Sequence, residues 1–263
     1  MLFDLKGKRK RFVQVTYVVL AVLFAVGLIG FGIGGGVSGG FFDAISGGGG
    51  GGGSDASKKQ VERLERAVAA QPRNERALVS LARAHYQVAA TSDNYDRETG
   101  GFKEGALADL RRAARAWERY LKLDPKKPDA AVASIMVQVY GTLLQLGGGV
   151  DALESLKEAA RAQEIVAHAR PSPIAYFNLA SIYYLVGRMK EGDQAGDQAV
   201  KRTPKDQRNT VTAQLDEVRK RGLKIKRQTK KAEDQAAQAA KEARKSGQDP
   251  FGAAPGSQVL PNQ

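Results

Sequence analysis

The chain has 263 residues, no cysteine and a formal net charge of +13. The absence of thiols excludes disulfides, thiolate zinc sites and a cysteine nucleophile. The charge sits at the ends: residues 1–11 carry +4 and residues 201–245 carry +9, so that, with Asp249 counted, residues 12–200 carry only +1. This distribution disfavours a duplex-binding face on the body of the protein.

Residues 1–11 form a short basic N-terminus containing Lys6, Lys8, Arg9, Lys10 and Arg11. Val13–Ile33 follows, 21 residues without a charge; at about 1.5 Å per helical residue it matches the roughly 30 Å hydrocarbon layer of a bilayer. The pattern predicts a transmembrane helix over 12–34, longer than the apolar core of a cleavable signal peptide. No Lys or Arg follows until Lys58, and the positive-inside bias then puts the N-terminus in the cytoplasm. The expected topology is single-pass in the cytoplasmic membrane, with the C-terminal domain outside the cytoplasm. Residues 35–56 contain the uninterrupted run Gly47–Gly53, which predicts a flexible glycine-rich linker with a reach on the order of 25 Å.

Residues 57–222 read as a helical repeat domain. In the stretch Pro173–Pro204, Tyr176, Leu179, Ala180 and Tyr183 recur at helical spacing, Gly187 makes a turn, Ala199 lies on a second helix and Pro204 ends it. An earlier unit has Leu78, Leu81, Ala82 and His85 on its first helix and Ala113, Trp117, Tyr120 and Pro125 on its second. A middle unit, Asp129–Pro171, carries the stripe Val132, Ile135, Val139, Leu143 and Leu144. Leu64 and Ala67, before Pro72, suggest a lone second helix upstream; Val211, Leu215 and Val218 suggest a capping helix downstream. The strings AYFNLASIYYLVGRMKEG and WERYLKLDP resemble the tetratricopeptide repeat. The resemblance implies an all-α fold, an α-solenoid of about three helical hairpins plus half-repeats, in bacterial membrane-anchored proteins of this plan.

Two departures from the repeat stand out. About 19 residues more than its spacing requires, including TSDNYDRETGGFKEG, lie between the two helices of the earlier unit, and an insertion of this kind is expected to emerge as a mobile loop. Gly192 and Gly196 occupy second-helix sites where the repeat has alanine and a large side chain. Each costs up to about 1 kcal/mol in helix propensity, so Gly192→Ala is expected to raise the thermal midpoint.

In this family the first helices of successive hairpins line a concave groove that takes a peptide or helix of another protein. Carried over, the resemblance implies a partner-binding groove of Val79, Arg83, Tyr86, Tyr140, Phe177, Ser181 and Tyr184, with the three tyrosines as a ladder along it. No catalytic, cofactor-binding or metal-binding residues are expected. His85 and His168 belong to different units without a ligand at i+4, and GxxxxGK[ST] does not occur. The chain reads as a non-enzyme that binds other proteins, in secretion or envelope assembly. Residues 223–263 read as a basic and then disordered tail, an alternative binding element for anionic lipid or an envelope polymer, with nucleic acid disfavoured by the outward topology.

Overall fold

The computed structural model describes residues 54–91, 93–96, 101–147 and 152–245. The basic N-terminus, the membrane helix predicted over 12–34, most of the linker and the end of the tail lie outside the described residues. Among the described residues no helix is long and apolar enough to cross a membrane.

The described chain is all-α apart from one small ladder. Its helices are α1 (Ser54–Ala70), α2 (Glu75–Ala89), α3 (Leu107–Leu121), α4 (Ala130–Leu146), α5 (Ala152–Ala169), α6 (Pro173–Val186), α7 (Met189–Arg202) and α8 (Arg208–Lys245). Between α2 and α3, β1 (Tyr95–Asp96) pairs antiparallel with β2 (Gly101–Phe102). α1 starts inside the predicted linker, at Ser54, with Asp55 in its first turn, where a carboxylate suits the positive end of the helix.

Local chemistry sets the boundaries. Asn74, Asp129 and Ser172 cap α2, α4 and α6, their side-chain oxygens accepting from the backbone N–H groups of Ala77, of Ala131 and Val132, and of Ala175. Each such cap satisfies a donor that the helix leaves open, at about 1 kcal/mol. α6 ends at Gly187, whose φ of 86° is a left-handed conformation that lets the chain turn straight into α7. Asp124, with φ 54°, makes the corresponding turn after α3, before Pro125.

Packing follows chain order. α2 pairs with α3, α4 with α5 and α6 with α7; α1 rests on α2, and α8 rests on α6 and α7. The pairs join through α2 against α4, α3 against α4 and α5 against α6. The core matches the apolar stripes expected of the three pairs: Leu78, Leu81, Ala82, Ala113, Trp117, Tyr120, Val132, Ile135, Val139, Leu179, Ala180 and Ala199 are all buried. α1 differs from expectation by one position, since Val61 and Val68 are its buried residues and Ala67 is exposed. The pairs are also tied by polar contacts, among them Tyr120, whose hydroxyl oxygen accepts from the Asp129 N–H at the start of α4.

Candidate binding surfaces

Of the seven residues expected to line a groove, Arg83 is exposed and Val79 half-buried. Tyr86, Tyr140, Phe177, Ser181 and Tyr184 are buried, at 3%, 2%, 3%, 0% and 3% exposure, so the three tyrosines are covered side chains and not an open ladder. A tyrosine ring is stable in a core when its hydroxyl finds an acceptor, and each of these does. Tyr86 donates to Gln138 Oε1 on α4 at 2.8 Å, Tyr140 to Glu118 Oε1 on α3 at 3.2 Å and Tyr184 to Asp193 Oδ1 on α7 at 2.9 Å. Tyr183 donates to the Glu164 carboxylate on α5. Burial, reinforced by neighbouring carboxylates for Tyr140, Tyr183 and Tyr184, pushes all four phenols well above their ordinary range. Ser181 Oγ has no hydrogen-bond partner among the described residues.

Tyr86 is covered by the inserted segment. Phe102 on β2 meets the Tyr86 ring edge-on at 5.8 Å between centroids and the Tyr95 ring at 5.1 Å. The described part of the insertion thus places a paired ladder with two aromatic rings, Tyr95 and Phe102, over Tyr86, each edge-to-face contact adding about 0.5–1.5 kcal/mol beyond burial.

Tyr184 is enclosed by glycines. A methyl group at Gly192 on α7 would sit 2.5 Å from two ring carbons of Tyr184, and one at Gly222 on α8 would sit 2.3 Å from the Tyr184 carbonyl oxygen. These glycines let α7 and α8 approach the tyrosine, which reverses the expectation for Gly192→Ala: the space that an alanine needs is filled. Arg219 of α8 completes the enclosure, donating to Asp193 through Nε at 2.8 Å and Nη2 at 3.3 Å, and this pairing holds the Asp193 carboxyl below its ordinary range.

A second feature lies on the other side of α2. Val79, Arg83 and Tyr86 share one face of that helix by their i, i+4, i+7 spacing, whereas Leu81 and His85 share the opposite one. Over Leu81 and His85, α1 and α3 leave a trough of about 360 Å³. Val68 and Ala69 of α1 and Ala116 of α3 line it, with Glu65 on the α1 wall and Arg112, Arg115 and Arg119 on the α3 wall. The three arginines lie at i, i+3 and i+7, one stripe of the helix.

His85 forms the floor at 2% exposure. Its Nδ1 lies 3.2 Å from Asp109 Oδ1 and its Nε2 3.6 Å from Glu65 Oε1, and Arg112 reaches the same Asp109 oxygen at 3.2 Å. A carboxylate only accepts, so the imidazole carries its proton on Nδ1. Burial lowers the His85 pKa from its ordinary 6.5; the hydrogen bond that the ring donates to Asp109 and the negative charges of Asp109 and Glu65 oppose that shift without cancelling it. Arg115 and Arg119 are exposed and have no ion-pair partner among the described residues. No group of three or more His, Cys, Asp or Glu side chains among the described residues could hold a metal ion.

Comparison with protein-family models, with curated proteins and with solved structures finds no match. The arginine stripe was not picked out from the sequence, although its i, i+3, i+7 spacing is readable there; its opposing wall on α1, more than forty residues earlier, is not.

Proposed function

We propose that the chain is a membrane-tethered scaffold: a tetratricopeptide-like solenoid that recruits other proteins at the outer face of the cytoplasmic membrane, in secretion or envelope assembly, without catalytic chemistry of its own. The observation that carries this reading is the packing order. Each helix pair packs on its sequence neighbours, and repeat arrays built in this order serve as docking platforms. The apolar run at 13–33 followed by a glycine linker supports the tether.

With the tyrosines buried, the part of the groove that remains accessible is carried by exposed Arg83 on α2 and exposed Gln138 on α4, beside half-buried Val79. The test is a photo-crosslinking amino acid placed at Arg83 or Gln138 of the full-length protein in intact cells. A discrete protein adduct, together with protease access to the domain in spheroplasts, is expected. The absence of any protein adduct from both positions, with the chain membrane-bound and helical, would overturn the scaffold reading.

A second reading rests on α8. Residues 219–231 contain eight Lys or Arg and no Asp or Glu, and Lys224, Lys226, Arg227, Lys230 and Lys231 are exposed. Near an anionic lipid surface each contributes about 1 kcal/mol. Sedimentation with vesicles must then rise with anionic lipid content and fall with salt; binding indifferent to both removes this reading.

A further inference from the structure

The trough over Leu81 and His85 has a chemistry that the concave side lacks. Its floor combines apolar Leu81 and Ala116 with His85, one wall is a row of arginines, and two of those arginines have no carboxylate partner among the described residues. We propose that this trough seats an acidic amphipathic segment of a partner protein, with its apolar side chains along exposed Ala69 and the narrow strip that Leu81 and Ala116 leave open, and its carboxylates on Arg115 and Arg119. The inference rests on the reading of the domain as a protein scaffold, and it places the partner on the face of α2 opposite Val79 and Arg83.

Charge and shape both select this class of ligand. The planar guanidinium fork matches a carboxylate with two parallel hydrogen bonds, and Arg115 and Arg119, one helical turn apart, match carboxylates one turn apart on a docked helix. The apolar strip beside the arginines, with Ala69 exposed along it, favours a ligand with a greasy edge over a free anion. A polyphosphate backbone is disfavoured because Glu65 stands on the opposite wall, with Glu62 one turn further along α1. The volume of about 360 Å³ accommodates a turn or so of a peptide, the size of a small ligand site. Arg112 is already engaged by Asp109, which fixes the end of the stripe next to His85 and leaves Arg115 and Arg119 as the free pair.

The experiment uses the full-length protein in detergent and a fluorescein-labelled peptide of about four helical turns, with Glu along one edge and Leu along the next. A counterpart with Gln for every Glu is the control. Fluorescence anisotropy should show binding that weakens with salt, and the Gln peptide should bind at least about tenfold more weakly. Arg115→Glu/Arg119→Glu should weaken the Glu peptide by about tenfold or more, while Lys224→Glu/Lys230→Glu on α8 leaves it unchanged. Both arginines are exposed, so circular dichroism should be preserved; if the reversal disturbs it, the neutral Arg115→Gln/Arg119→Gln must still weaken binding severalfold.

Unchanged affinity in the folded α3 variants would overturn the proposal. So would loss of binding in the α8 variant alone, which assigns the peptide to the basic helix, or displacement of the peptide by an equal concentration of inorganic phosphate, which makes this a small-anion site. A protein adduct from Arg83 or Gln138 in cells, alongside failure of the peptide test, would leave the scaffold reading standing without the trough.

Discussion

The first helix pair, α2 and α3, and the last, α6 and α7, each carry a tyrosine at the corresponding place on the leading helix, and each buries it by a different device. Tyr86 is roofed from within its own pair, by Phe102 and Tyr95 on the ladder that interrupts α2 and α3. Tyr184 is enclosed from the C-terminal side, by Gly192 of α7, Gly222 of α8 and the Asp193–Arg219 pair. Position along the leading helix therefore sets where a side chain points, and the element that packs over it sets whether it is exposed. In the first pair α1 packs over the opposite face, burying Leu81 and His85 and leaving Arg115 and Arg119 exposed at its edge; in the last pair α8 covers both α6 and α7.

This contrast can be broken by substitution. Gly222→Ala should have the largest effect, because the new methyl meets backbone and α8 has to move off α6; a loss of about 2–3 kcal/mol is expected, read as a lower thermal midpoint and faster amide exchange in the first half of α8. Phe102→Ala removes the ring over Tyr86 and should cost about 2 kcal/mol, with the urea midpoint lowered and its slope kept. Gly192→Ala gains about 1 kcal/mol of helix propensity and loses more to the clash with a buried ring, so a net loss of about 1 kcal/mol is expected by thermal melting. Gly196→Ala makes the matching control. Its methyl would lie 3.4 Å from Leu215 Cδ1 and 3.5 Å from Tyr184 Oη, ordinary contacts, so it should stabilise by up to about 1 kcal/mol. If Gly192→Ala and Gly196→Ala shift the midpoint in the same direction, the account of the Tyr184 enclosure is wrong.

The smallest effect concerns pH. The folded state holds His85 below its ordinary pKa of 6.5, so the unfolded chain takes up the proton first; the stability that neutral His85 contributes is complete above that value and is lost as the pH falls below it. Glu65, Asp109 and Arg112 face the ring and set how far the shift goes. Replacing His85 by Gln should therefore flatten the fall in thermal midpoint just below pH 6.5. An equally steep fall in the variant would exclude His85 as its source.

The helical pairs were readable from the sequence because their signals are local. Apolar residues at 3.6-residue spacing, the turn at Gly187 and the stop at Pro204 depend on a few neighbours each, and all lie where expected. Coverage was not readable, because it depends on residues far apart in the chain: Phe102 over Tyr86, Gly222 against Tyr184, Glu65 facing the Arg112–Arg119 stripe. Gly192 illustrates the point. Propensity, a local quantity, favours alanine there, while a ring from α6, eight residues back and across a turn, forbids it. The single-position offset on α1 has a local origin instead, since a helix whose buried residues are two valines offers a weak stripe to read.

The burial of the tyrosines is the claim on which the separation of core from the proposed docking surface depends, and spectrophotometric titration of the full-length protein tests it directly. Burial raises Tyr86, Tyr120, Tyr140, Tyr183 and Tyr184 above the ordinary value of 10. At least these five of the eight tyrosines should therefore stay protonated as the pH passes 10 and ionise only when the helical signal is lost. Ionisation of all eight near pH 10 with the circular dichroism intact would return the tyrosines to the surface and contradict the account.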